Sequence, residues 1–116
     1  MSIPYPITID AGADFEMGVL VRLADGTTPE SLEGYSARAQ VRNSQSNVLA
    51  GDFVCVIDNP LLGSISVKMP NQKTSLIGPT EVNNSYFWDL EIYTTSNAIV
   101  RRLIGGLVTV TKEATK

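Results

Sequence analysis

Three observations predict an all-β chain folded as two packed sheets. Apolar and polar side chains alternate in segment after segment, turns rich in Gly, Asn, Asp and Pro separate those segments, and no stretch carries the pattern of a ten-residue amphipathic helix. The 116 residues fit one domain. A chain of this size buries roughly 65% of its unfolded surface, enough for a core without disulfide staples.

Residues 1–6 (MSIPYP) read as an extended N-terminal arm, stiffened by Pro4 and Pro6, which also suit an edge strand because proline donates no ladder hydrogen bond. The sandwich is expected over residues 7–111 and a polar tail over 112–116. "PITID" alternates Ile7 and Ile9 with polar neighbours. "DFEMGVLVRL" places Phe15, Met17, Val19, Val21 and Leu23 on one face and Glu16, Gly18, Leu20 and Arg22 on the other. "ADGT" is a turn signal. The next strand sets Tyr35, Ala37, Ala39 and Val41 against Ser36, Arg38, Gln40 and Arg42.

"NSQSN" is a polar turn. "VLAGDFVCVID" (48–58) reads as an apolar strand rich in β-branched residues, with Gly51 as a bulge site. "SISVKM" alternates again. "PNQKTSLIG" (70–78) breaks the rhythm and predicts one short helix or helical turn, with Leu76 plugging the core. "SYFWDLEIY" puts Tyr86, Trp88, Leu90 and Ile92 inward and Phe87, Asp89, Glu91 and Tyr93 outward. After the turn "TTSNA", residues 99–111 form a long last strand in which Gly105 and Gly106 mark a bulge or bend. About seven short strands at even spacing fit an immunoglobulin-like antiparallel β-sandwich. Trp88 lacks the Cys–Trp–Cys frame of an antibody domain.

Composition narrows the function classes. Nine basic and 12 acidic residues give a net charge of −3, so there is no basic footprint for nucleic acid. The N-terminus has no secretory-signal pattern, and no apolar run reaches the ~20 residues of a spanning helix. Asn83-Asn84-Ser85 matches a glycosylation pattern but reads as an ordinary turn. The chain has no histidine, which rules out a Ser–His–Asp arrangement and weakens any metal site. The single cysteine, Cys55, lies in "FVCVI" and reads as a small buried apolar residue. "LIGGLV" lacks the Lys-Ser or Lys-Thr of a phosphate loop. Asp58, Asp89 and Glu91 read as surface carboxylates rather than a glycosidase pair. No enzyme activity, cofactor, metal or small-molecule substrate is expected.

The outward faces are more informative. Arg38 and Arg42 share one, Asp89 and Glu91 share another, and Glu16 lies on a third. Such charges either pair across strands, each pair contributing roughly 0.2–1 kcal/mol, or face another subunit. Phe87 and Tyr93 flank the acidic pair, and aromatic side chains are enriched at interface cores. The candidate interface is therefore Arg38, Arg42, Phe87, Asp89, Glu91 and Tyr93, with Pro4 and Tyr5 of the arm.

Taken in order, the segments resemble a pattern of small tailed-bacteriophage virion proteins. There an "I-x-x-G-x-x-F" entry strand leads to "D-G-T-P" and then "L-x-G-Y-x-A-x-x-Q-[IV]-R". The matching positions are Ile9, Gly12, Phe15, Asp25, Gly26, Thr28, Pro29, Leu32, Gly34, Tyr35, Ala37, Gln40, Val41 and Arg42. Gly63 to Pro70, Tyr86 to Ile92 and Val100 to Val110 also fit, the last with an "L-x-x-G-x-V-x-V" ending at Leu103, Gly106, Val108 and Val110. The resemblance spans nearly the whole chain, and one extra residue in "DGTTPESL" lengthens a turn. It is similar to the immunoglobulin-like modules that open upper-baseplate and tail-fibre proteins. It implies a non-enzymatic structural module of the virion, assembled in the bacterial cytoplasm, at the neck, tail, baseplate or fibres. Its partners would be other virion proteins and copies of itself, with no nucleic acid or membrane. Capsid decoration, with the N-terminal residues as the binding arm, is an alternative, and a glycan-binding module is a second.

Overall fold

The computed structural model describes residues 3–23, 25–44, 47–77, 86–95 and 98–111. They form an all-β sandwich. Its strands are β1 (Ile3–Pro4), β2 (Ile7–Asp10), β3 (Phe15–Leu20), β4 (Ser36–Asn43), β5 (Leu49–Asp52), β6 (Val54–Asn59), β7 (Ser64–Met69), β8 (Tyr86–Tyr93) and β9 (Val100–Thr111). A 3-10 turn at Pro60–Leu62 and one helical turn, α1 (Asn71–Thr74), complete the described elements. One sheet has the order β1-β9-β8-β4-β5, with β2 also on β9, and the other has the order β3-β7-β6. The two sheets stack face to face as a β-sandwich.

The alternation read from the sequence is the burial pattern of the strands. β8 alternates buried and half-buried residues without exception, and β2 buries Ile7 and Ile9 while exposing Thr8 and Asp10. The inward residues of both sheets merge into one core with Trp88, Leu90, Ile92, Ile65, Val67, Met69 and Val41 at its centre. Burial of this kind contributes roughly 25 cal/mol per Å² of apolar surface and is the main force holding the sheets together.

Four expectations change. First, the apolar run 48–58 is two strands in different sheets. The chain crosses between sheets at Phe53, whose N–H donates to the Ala39 carbonyl (3.0 Å) and whose ring turns into the core. The bulge beside Gly51 is present, since register slips between Val41 and Arg42 opposite Gly51 and Leu49. Second, the sheets are not wholly antiparallel. β1 and β2 run parallel to β9, pairing Ile7 with Val108 and Ile9 with Val110. Ile3–Pro4 and the Tyr5 N–H, which donates to the Gly105 carbonyl, are thus bonded to β9 rather than extending from the sheet as an arm.

Third, Gly105 and Gly106 are not the bulge. Register on β9 slips at Leu103, because Leu90 faces Ile104 while Glu91 faces Arg102. The two glycines instead permit close approach. A Cβ on Gly106 would lie 2.9 Å from the Tyr5 carbonyl, and one on Gly105 would lie 2.7 Å from the Trp88 oxygen. Fourth, Leu76 is 80% exposed and Ile77 is the buried plug, at 2%. Thr74 precedes Ile77 by three residues and shares its inward face. The Thr74 hydroxyl donates to the Ala13 carbonyl (2.8 Å) and accepts from Gly12 N–H (3.1 Å), tying α1 to the corner between β2 and β3.

The segment between β3 and β4 is anchored rather than loose. Arg22 bridges Pro29, and Leu32 is fully buried with its N–H on the Pro60 carbonyl (2.7 Å). Asp25 closes the turn by accepting from Thr27 N–H, Thr28 N–H and the Thr28 hydroxyl, and these bonds, the hydroxyl first, lower its pKa to about 2. Gly63 is required where this segment meets the 3-10 turn. It has a φ of +68°, and a Cβ there would sit 2.4 Å from the Val21 oxygen. Residues 83–85 and the expected tail at 112–116 lie outside the described residues.

Aromatic rings carry the contact between the layers. Trp88 meets Phe53 edge-on with centroids 5.9 Å apart, and Phe53 meets Phe15 of the opposite sheet at 5.4 Å. The Trp88 indole N–H donates to the Tyr5 carbonyl (2.8 Å), so the ring also holds the N-terminal strand. Trp88→Ala is expected to cost about 3–5 kcal/mol, through the cavity and through loss of this hydrogen bond. Chemical denaturation measures it. A loss below about 1 kcal/mol would mean that the ring does not bridge the layers.

Candidate functional site

The pairing of β4, β8 and β9 assembles most of the candidate interface on the outward face of the larger sheet. β4 pairs with β8 so that Arg38 faces Glu91, Gln40 faces Asp89, Arg42 faces Phe87 and Ser36 faces Tyr93. β9 then sets Arg102 against Glu91, Gly105 against Asp89 and Leu107 against Phe87. The six predicted residues Arg38, Arg42, Phe87, Asp89, Glu91 and Tyr93 therefore share one face, and all are half-buried.

The charges on this face satisfy one another. Arg38 Nε donates to Glu91 Oε1 at 2.5 Å, and its guanidinium carbon lies 4.3 Å from the centroid of the Tyr93 ring. Arg42 donates to Gln40 Oε1 (3.0 Å) and to the Asn47 carbonyl (3.1 Å). Arg102 Nε lies 3.3 Å from Asp89 Oδ2. Burial raises the Asp89 carboxyl above its ordinary pKa, opposed by Arg102 and reinforced by the Glu91 charge. Arg38 thus holds β4 to the acidic Glu91 of β8, whereas the hydrogen bonds of Arg42 go to Gln40 of its own strand and to the turn at Asn47. A shallow hollow of about 260 Å³ lies among Arg38, Ala39, Gln40, Asp89 and Glu91.

Three residues fall elsewhere. Pro4 pairs with Gly105 at the edge of the same sheet. Tyr5 is 47% exposed, but its ring stands edge-on to Trp88 at 6.4 Å, away from the charged rows. Glu16 belongs to the other sheet, opposite Lys68, and cannot meet Arg38 or Arg42. Two contributors escaped the reading of single strands. Arg102 completes the charge row, and Leu107, 65% exposed beside Phe87, adds an apolar element. Both come from β9, where the slip at Leu103 changes which side chains point outward, and no local pattern shows that slip.

A larger groove of about 700 Å³ opens where β3 and the start of β9 form the open side of the sandwich, lined by residues 19–22, Glu30 and residues 100–104. Arg101 crosses it to Glu30 in a two-pronged ion pair whose second contact is 3.3 Å. Among the described residues no three Asp, Glu, Cys or His side chains are placed to share a metal ion, and no helix is long and apolar enough to cross a membrane. No protein-family model matches this sequence, and no curated protein matches it significantly.

Cys55 lies in register with Val67 on the inward side of β6, half-buried rather than fully enclosed as expected. Burial pushes its pKa from 9.0 up to about 11. The folded protein thus holds about a hundredfold less thiolate at neutral pH than a free thiol. Alkylation by iodoacetamide at pH 8 is expected to run at least about tenfold slower in the folded than in the unfolded chain. Because the folded value is the raised one, the thiol's contribution to stability is intact below pH 9.0 and declines as pH climbs to about 11.

The Arg38–Glu91 pair is partly solvated, with side-chain exposures of 41% and 22%. A double-mutant cycle through Arg38→Ala and Glu91→Ala is expected to give a coupling of about 0.5–1 kcal/mol that shrinks as salt is added. A coupling of zero would leave the pair without a structural role.

Proposed function

We propose that this chain is a non-enzymatic structural protein of a bacteriophage virion, an adaptor module at the neck, tail, baseplate or fibres. The observation that carries the reading is the outward face of the larger sheet. Across β4, β8 and β9 it presents the ion pairs Arg38–Glu91 and Arg102–Asp89 and a hydrogen-bonded Arg42, beside Phe87, Tyr93 and the exposed Leu107. Pre-ordered side chains of this kind suit docking to another protein, because little conformational entropy remains to be lost on contact. The motif resemblance along the chain supplies the virion context, and the sandwich fold it implies is the fold observed.

Capsid decoration receives less support. That reading uses a free N-terminal arm, whereas Ile3–Pro4 pairs with β9 and Tyr5 N–H donates to the Gly105 carbonyl at 2.7 Å. Glycan binding receives less again, because the Arg38 guanidinium covers the Tyr93 ring that would stack on a sugar.

An antibody raised against this chain is expected to label the tails of intact particles under the electron microscope. Labelling of capsids would favour decoration, and no labelling of any particle would overturn the virion reading. Leu107→Asp changes an exposed side chain on the proposed docking face. It is expected to leave the melting temperature within a degree or two and to abolish incorporation into particles.

A further inference from the structure

The smaller sheet has an unusual edge. β3 stands at the end of the order β3-β7-β6, and no described strand pairs with its open side. Exposed edges are normally blunted by shortness, proline or a bulge. The other described edges fit that rule. β5 spans four residues and is bulged, β6 slips register beside Asp58, and β1 and β2 are short with Pro4 and Pro6 among them. β3 runs six residues with neither proline nor a register slip.

Gly18 sits in the middle of this strand, and nothing among the described residues requires a glycine there. Its φ is not positive, and a Cβ built on it would meet no described atom within 4 Å. Glycine weakens a strand and often marks a place where another backbone or side chain comes close. On the same outward face Leu20 is 58% exposed; Glu16 lies two residues before the pair and Arg22, just past the end of the strand, two residues after it.

We propose that β3 pairs antiparallel with β3 of a second copy of this chain about a two-fold axis at Val19, joining the two small sheets into one of six strands. The hydrogen-bonding geometry allows this register. Val21 N–H donates to the Gly63 carbonyl on the β7 side, so Glu16, Gly18, Leu20 and Arg22 turn their main-chain groups to the open edge. With Val19 opposite the partner's Val19, Gly18 faces the partner's Leu20 and Glu16 faces the partner's Arg22. The symmetry repeats both contacts. Leu20 then occupies the space that the missing Cβ of Gly18 leaves, and each dimer gains two opposite-charge pairs. On the inward side Met17 meets the partner's Val21 beside the groove between β3 and β9. A slip by two residues would place Gly18 against Gly18 and Glu16 against Leu20, losing both complementarities. The pairing rests on the edge itself and holds whether or not the virion reading does.

The full chain is examined by sedimentation velocity from micromolar to millimolar concentration. A monomer–dimer equilibrium is expected. Glu16→Arg and Arg22→Glu, made singly, each replace two attractive pairs by two repulsive ones and are expected to weaken the dimer at least about tenfold. The double variant E16R/R22E restores opposite charges and is expected to recover the dimer. Both positions are exposed, and unchanged melting of each variant shows that the fold is intact. A wild-type chain that stays monomeric throughout overturns the proposal. So does a dimer indifferent to both single reversals, or a double variant that fails to recover.

Discussion

The sandwich depends on one side chain that faces two ways. Trp88 projects from the centre of β8 into the core, where its edge meets Phe53, and Phe53 in turn meets Phe15 of the other sheet. Its one polar atom donates outward to the Tyr5 carbonyl. An antibody-type domain links its layers with a disulfide next to a tryptophan. Here the only cysteine is Cys55, and a line of rings from Tyr5 through Trp88 and Phe53 to Phe15 runs from one layer to the other. Large rings suit this task because each buries about 150–250 Å², and tilted contacts between rings add to that burial. The indole N–H would be costly if unpaired, so it also fixes where the N-terminal strand must lie.

That constraint explains Gly106 of β9. For Tyr5 to bring its carbonyl to the indole, its backbone must pass against β9 at Gly106, where a side chain would block the way, while Gly105 lets β9 lie close against the Trp88 carbonyl of β8. The parallel pairing of β1 and β2 with β9 follows, and it covers most of one edge of the larger sheet. The same choice leaves the smaller sheet without a strand beside β3. The described N-terminal strands serve only the larger sheet.

What the sequence makes legible follows from this division. Alternation identified the strands and their inward residues, because burial in a sandwich has a period of two and any strand shows it by itself. The outward grouping of Arg38, Arg42, Asp89 and Glu91 was readable for the same reason. Three kinds of information were not local. Phe53 divides one apolar run into two strands because the chain changes sheets there, and the run remains apolar across the change. Ile77 rather than Leu76 is buried because Thr74 is anchored to Gly12 and Ala13, far away in sequence. The slip at Leu103 brings Arg102 into the charge row, and it depends on how β8 and β9 pair.

The paired charges also bear on how such a face could work. An unpaired arginine at an interface must either find a partner or be desolvated at a cost, so it discriminates strongly but binds slowly if misplaced. On this face Arg38, Arg42 and Arg102 already have acceptors, and the Tyr93 ring is held under a guanidinium. A partner docking on the proposed face would meet arginines that already have acceptors. On the proposed docking reading, affinity would come mainly from apolar contact at Phe87 and Leu107. A face of this kind favours many weak, repeated contacts over one tight one, and repetition multiplies them wherever copies are held side by side.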